Sequence, residues 1–210
     1  MKRFLLLCLF VPAFSSAVLA QKYEISPVFG WFRPSAGVLG SLDETNPKND
    51  DTRMKPDTGY GVRLTLNTPG YYGFELAYLR SRARLQAKVR PETGGEILRE
   101  DRIQNWTGSL NFLAYMMPAR ERFRPFMTAG FQVLDYGRPD IPEWTRRNAR
   151  TFGFNYGGGI KIQFAPHLQL RLDARDFIGG KPYDLTFEEF GKLGGRFRHF
   201  EGTAGIGITF

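Results

Sequence analysis

His199 and Glu201 stand two residues apart, so on an extended chain both side chains share one face. A histidine steadied by a carboxylate is the base half of a nucleophilic site, and it needs a hydroxyl within hydrogen-bond reach. Phe200 separates the two, no serine follows, and Ser26, Ser81 and Ser109 lie on other segments. His167, the other histidine, sits in a short turn and reads as a solvated residue. Asp43, Glu44, Asp50 and Asp51 could attract calcium, but their spacing matches no calcium-loop signature and suits a hydrophilic loop. The single cysteine, Cys8, permits neither an intramolecular disulfide nor a multi-cysteine zinc site, so no metal and no cofactor is expected. The richer pattern is ionic. Arg63, Glu75, Lys161, Arg171, Asp173, Arg175 and Glu201 all fall at polar positions of alternating segments. Mixed charges gathered inside a narrow fold pair with one another and form a polar plug.

Eight segments alternate apolar and polar with period two, as half-buried strands do. In the last, Phe200, Ala204, Ile206, Ile208 and Phe210 alternate with Glu201, Thr203, Gly205 and Thr209. Leu168, Leu170, Leu172 and Ala174 alternate with Gln169, Arg171, Asp173 and Arg175. The same split runs through 60–67, 72–79, 106–116 and 152–164 on even numbers, and through 25–31 and 127–133 on odd numbers. A soluble β-sandwich would pack these apolar faces inward, with shorter and more even connections. Here 68–70, 118–122 and 165–167 are tight, whereas 34–57, 84–102, 137–150 and 177–196 are long. Short turns at one end and long loops at the other are the pattern of a transmembrane β-barrel. A tilted membrane strand needs ~9–11 residues, and closure leaves no unpaired edge in hydrocarbon. The expected fold is therefore all-β: an eight-stranded antiparallel up-and-down transmembrane barrel with short periplasmic turns and long extracellular loops.

Residues 1–20 read as a secretory signal peptide, with a basic Met1-Lys2-Arg3 start and an apolar run from Phe4 to Val11. Val18 and Ala20 fill the two positions a signal peptidase inspects, which leaves 21–210 as the barrel domain. With 42% hydrophobic and 24% charged residues, the chain is neither disordered nor a helical membrane bundle. Its net charge of +8 raises a nucleic-acid partner, but the basic residues gather at strand tops and outer loops.

The last eight residues resemble the β-signal of bacterial outer-membrane proteins. Thr203, Gly205, Ile208 and Phe210 take the polar, glycine, hydrophobic and terminal aromatic places. That resemblance implies that the barrel-assembly machinery reads this strand, and edge pairing is a physical route to such reading. From end to end, 21–210 is similar to the small eight-stranded outer-membrane barrels of the OmpA/OmpX kind. Asn155-Tyr156-Gly157-Gly158-Gly159 and Arg171-Leu172-Asp173-Ala174-Arg175-Asp176 look like the penultimate hairpin of the outer membrane protein beta-barrel domain family.

The resemblance implies an outer-membrane location and a non-enzymatic role: a membrane anchor presenting extracellular loops for surface interaction or envelope integrity. The alternative is a narrow channel for ions or small solutes. A third reading, a lipid A-modifying enzyme, meets a difficulty. The deacylases among such barrels carry serine two residues after histidine, where this chain has Glu201. The expected partners are outer-membrane lipid and lipopolysaccharide, whose phosphates would meet Arg33, Arg146, Arg147, Arg150, Arg196 and Arg198. No nucleic acid is expected, and the barrel is expected to be monomeric. Trp31, Tyr60, Tyr78 and Trp106 should form the outer aromatic girdle, with Tyr72 and Phe210 in the periplasmic one. Segments 82–90 and 96–104 should extend past the membrane as a hairpin. A turn centred on Pro69 would set Arg63 directly opposite Glu75.

Overall fold

The computed structural model describes residues 22–34, 39, 52–89, 95, 97–119, 121–142, 149–183 and 196–210. Nine strands form one antiparallel sheet: β1 (Lys22–Pro34), β2 (Thr52–Lys55), β3 (Asp57–Asn67), β4 (Tyr72–Val89), β5 (Ile97–Tyr115), β6 (Phe123–Tyr136), β7 (Ala149–Ala165), β8 (Leu168–Gly180) and β9 (Arg196–Thr209). β2 and β3 lie end to end against β4, so the wall holds eight strands. Pairing of β1 with β9 closes the cylinder. Among the described residues no helix is long and apolar enough to cross a membrane.

Side-chain direction follows the expected parity. Odd positions face outward on β1 and β6, and even positions do so on the other long strands. Ile206 and Ile208 are 51% and 40% exposed, which places them on the outer wall rather than in a core. Trp31, Tyr60, Tyr78, Tyr72 and Phe210 also lie exposed on the outside, and Tyr78 stacks with Trp106 at 6.5 Å. Inward glycines let the narrow wall curve. A Cβ at Gly157 would fall 2.2 Å from the Ala174 carbonyl oxygen, and one at Gly159 equally close to that of Leu172.

Three details depart from the sequence reading. Part of the expected first outer loop, Thr52–Lys55, is strand. Thr52 and Met54 are buried while Arg53 and Lys55 are exposed, and β4, longer than β3, offers them an edge at Ala87 and Leu85. Pro56, lacking an N–H, then interrupts the ladder before β3. The turn after β3 is centred on Gly70, because Asn67 pairs with Gly73 and the Thr68 amide donates to the Tyr72 carbonyl at 3.0 Å. That shift sets Arg63 opposite Ala77, with Glu75 one diagonal away opposite Thr65. The expected hairpin forms, with Val89 paired to Ile97.

The third departure concerns polarity along the wall. On β4, the outward residues Phe74, Leu76 and Tyr78 give way to Arg80, Arg82 and Arg84. Over the same span the inward residues pass from Glu75 to Ala83, Leu85 and Ala87. β5 changes likewise, from outward Phe112 and Leu110 to Gln104 and Arg102, while Asn111 inside gives way to Ile103. The lower barrel is apolar outside and polar inside, as hydrocarbon demands. The far end reverses to the order of a water-soluble sheet.

Candidate functional site

Inward positions of β1, β3, β4, β7 and β8 bring Glu24, Arg63, Glu75, Lys161, Arg171, Asp173 and Arg175 into one buried ionic network. Arg171 is its hub. Its Nε lies 2.8 Å from Asp173 Oδ2, its Nη1 lies 3.4 Å from Glu24 Oε1, and its Nη2 donates to Glu75 Oε2. Arg175 Nη2 donates to Asp173 Oδ1 at 2.9 Å, and its Nη1 stands 2.9 Å from Glu75 Oε1, out of line for a hydrogen bond. Arg63 Nη1 donates to Glu75 Oε1 at 3.2 Å and its Nη2 to Thr203 Oγ1 at 3.2 Å. The diagonal register therefore still yields the Arg63–Glu75 pair.

Glu24 was absent from the charges singled out in the sequence, although its neighbours Ile25, Phe29 and Trp31 fix it on the inward face. It receives Lys161, Arg171, Ser26 and Asn67. Lys161 also donates to the Tyr115 hydroxyl at 2.9 Å, and the Tyr115 hydroxyl donates a hydrogen bond to Asn67 Oδ1. Glu201 is buried but stands apart from this network. It faces Arg175 across the ladder, yet Arg175 turns to Glu75 and Asp173, and Glu201 Oε1 instead stands 3.5 Å from His199 Nε2.

His199 is enclosed by rings. Phe177 stacks on it at 4.6 Å and Phe32 lies tilted at 4.5 Å. Ser26 donates to Glu24 and Ser109 accepts from Asn111, so both hydroxyls serve the charge network. His167 lies exposed in the tight turn after β7. Among the described residues no three His, Cys, Asp or Glu side chains gather as metal ligands.

Above the histidine the lumen is filled by apolar side chains. Phe32, Leu85, Ile103, Leu134, Tyr136 and Phe197 form one buried cluster, joined by Leu39 and Tyr183 from the connections. Tyr183 donates to the Gly137 carbonyl, and burial pushes its phenol above its ordinary range. This plug was not anticipated, although its inward positions follow the same parity. At the opposite mouth, Arg122, Arg124, Lys161 and Gln169 border a cavity of about 320 Å³.

The rim arginines differ in their commitments. Arg150 lies 3.1 Å from Asp135 Oδ2, and Arg198 binds Asp176. Arg33 and Arg196 are exposed at strand ends. Arg146, Arg147, the acidic loop residues 43, 44, 50 and 51, and the signal segment 1–20 lie outside the described residues. Thr203 faces inward on β9, while Ile208 and Phe210 face outward. Arg80 and Arg82, not singled out in the sequence, line an outward groove of about 310 Å³ with Phe29, Tyr60 and Gln104.

Sequence comparison with curated proteins finds no match. Among solved structures, the chain is similar to the N-terminal barrel domain of Pseudomonas aeruginosa OprF, at 16% identity over 90% of this chain and 97% of that one, with a TM-score of 0.46. It is also similar to Neisserial surface protein A, at 11% identity over 91% and 97%, with a TM-score of 0.49. The attachment invasion locus protein Ail of Yersinia pestis is 12% identical over 91% and 100%, with a TM-score of 0.43. The family model for the outer membrane protein beta-barrel domain matches residues 6–197, nearly the whole chain. With that match and a closed eight-stranded wall whose apolar face points outward, the chain belongs to the outer membrane protein beta-barrel domain family.

Proposed function

We propose that this barrel works without catalysis, as an outer-membrane anchor that holds a rigid platform of strands and loops at the cell surface. The observation that supports it is the doubly filled lumen: an ionic plug at mid-height and an apolar plug beyond it. A wall filled this way is a strut. The tight-turn mouth faces the periplasm in this reading, and the β4–β5 hairpin projects outward. Thr203, Gly205, Ile208 and Phe210 serve assembly, and the closed single chain acts as a monomer. Lipopolysaccharide phosphates meet Arg33 and Arg196 at the rim, together with Arg80 and Arg82 in their groove. Arg150 and Arg198 already hold carboxylates and add less.

An epitope inserted between Val89 and Ile97 should be labelled on intact expressing cells, and the lipid A of those cells should keep its mass. Labelling only after permeabilisation would overturn the orientation, and a new lipid A species would overturn the non-enzymatic role. The narrow channel is the second reading. The observation that favours it is three inward amides on the neighbouring strands β5, β6 and β7, Asn105, Gln132 and Asn155, whose polar atoms have no protein partner among the described residues. Water could satisfy them and thread that side of the lumen.

A further inference from the structure

Each buried cation of the mid-lumen network meets a carboxylate: Arg63, Lys161, Arg171 and Arg175 all pair with Glu24, Glu75 or Asp173. Arg124 is different. It is 7% exposed, and among the described residues it forms no ion pair. Its guanidinium lies 3.8 Å from the centroid of the Tyr115 ring, Nε reaches the Met117 carbonyl at 3.5 Å, and Nη2 has no acceptor. Glu24 cannot serve it without leaving other groups, since Lys161, Arg171, Asn67 and Ser26 already share that carboxylate. Glu121 is exposed and makes no ion pair with Arg124, although it lines the mouth of the same cavity and its carboxylate opposes an incoming anion there.

Arg124 borders the 320 Å³ cavity at the tight-turn mouth, beside Arg122, Gln163 and Gln169. That volume lies at the small end of the range for ligand sites, roughly 300–1,000 Å³. A guanidinium largely withdrawn from water, with the Glu24 carboxylate near but beyond contact, keeps an unmet attraction for an anion, and its fork of donors matches a carboxylate or phosphate. The geometry points to an oxyanion site in this cavity: a carboxylate or phosphate group supplied from outside the chain pairs with Arg124, and Arg122 draws it in at the entrance. The amides of Gln163 and Gln169 supply polar lining. A bound anion completes the charge balance of the lumen at this end and tightens the plug. The site stands whichever compartment the mouth faces.

The test is isothermal titration of the full chain, refolded in detergent micelles, with sodium phosphate and with sodium acetate at constant ionic strength set by chloride. One saturable site per barrel is expected. Arg124→Gln should weaken it at least about tenfold, the scale of one charge-assisted contact. Arg122→Gln, at an exposed position, should weaken it about threefold, and Arg102→Gln at the opposite end should change nothing. The gel shift between heated and unheated samples reports folding, and Arg122→Gln carries the test if Arg124→Gln does not fold. A tripeptide with a free carboxyl terminus, compared with its amide, separates the sources. Preference for the free peptide over acetate identifies a carboxylate borne by a larger partner, and equal or tighter phosphate binding identifies a free ion; either supports the site. No saturable heat, or binding undiminished in both arginine variants, overturns it.

Discussion

At mid-height, the inward positions of β3, β4 and β8 carry Arg63, Glu75, Arg171 and Asp173; at the far end, the same inward parity carries Leu85 on β4, Ile103 on β5, Leu134 on β6 and Phe197 on β9. One backbone geometry serves both, because successive side chains on a strand always alternate. What differs is the medium outside the wall. Where lipid covers the exterior, Phe74, Leu76 and Tyr78 face it and polar groups turn inward to satisfy one another. Where Arg80, Arg82 and Arg84 take the exterior, the hydrophobic effect acts in its usual direction and the interior becomes apolar. The change near Tyr78 and Trp106 marks the edge of the membrane band, where amphipathic rings prefer to sit.

The two regions should therefore break differently. Glu75→Ala removes the carboxylate shared by Arg63, Arg171 and Arg175, and stranding those cations should cost ~3–5 kcal/mol. Chemical unfolding in micelles measures it. Leu85→Ala empties part of the apolar plug and should cost about 3 kcal/mol. Glu75→Gln, which keeps the shape and loses the charge, should cost nearly as much as Glu75→Ala, whereas Leu85→Met, which keeps the volume, should cost under ~1.5 kcal/mol. A near-neutral Glu75→Gln would erase the distinction between the regions.

The parity that directs both regions was legible in the sequence, since Leu168 to Arg175 alternates without a fault. The register between β3 and β4 lies two residues from the one that a turn centred on Pro69 would give, because the backbone turns about Gly70; a shift of two keeps every side chain on its face. Glu24 escaped notice because Pro27 interrupts its segment and blurs the alternation there. The apolar plug was not legible because 82–90 and 96–104, although expected as a hairpin past the membrane, carry Ala83, Leu85, Ala87 and Ile103 on the face that is polar lower down, and alternation alone does not say which face turns inward outside lipid. Arg124 sits at a strand entrance next to Phe123 and Pro125, and nothing in its spacing tells a solvated turn residue from a buried cation.

A smaller effect sharpens the view of the ionic half. Lys161→Met alone should strand charge on Glu24, whereas adding Glu24→Gln should recover most of that loss and leave ~1 kcal/mol or less. Failure of the double variant to recover would mean that Glu24 works chiefly through Arg171. The smallest effect belongs to the outer wall. A double-mutant cycle on Arg150 and Asp135 should give about 0.2–1 kcal/mol, as exposed pairs do. A larger coupling would place that pair in a drier setting than the rim.

The doubly plugged lumen is tested most directly by conductance of the single purified barrel in a planar bilayer. The parent should be electrically silent at moderate voltage. Glu75→Ala, with its network broken, should show at most brief, small openings. Steady ion conduction by the parent would contradict the plug and make the inward amides Asn105, Gln132 and Asn155 part of the wall of a working channel.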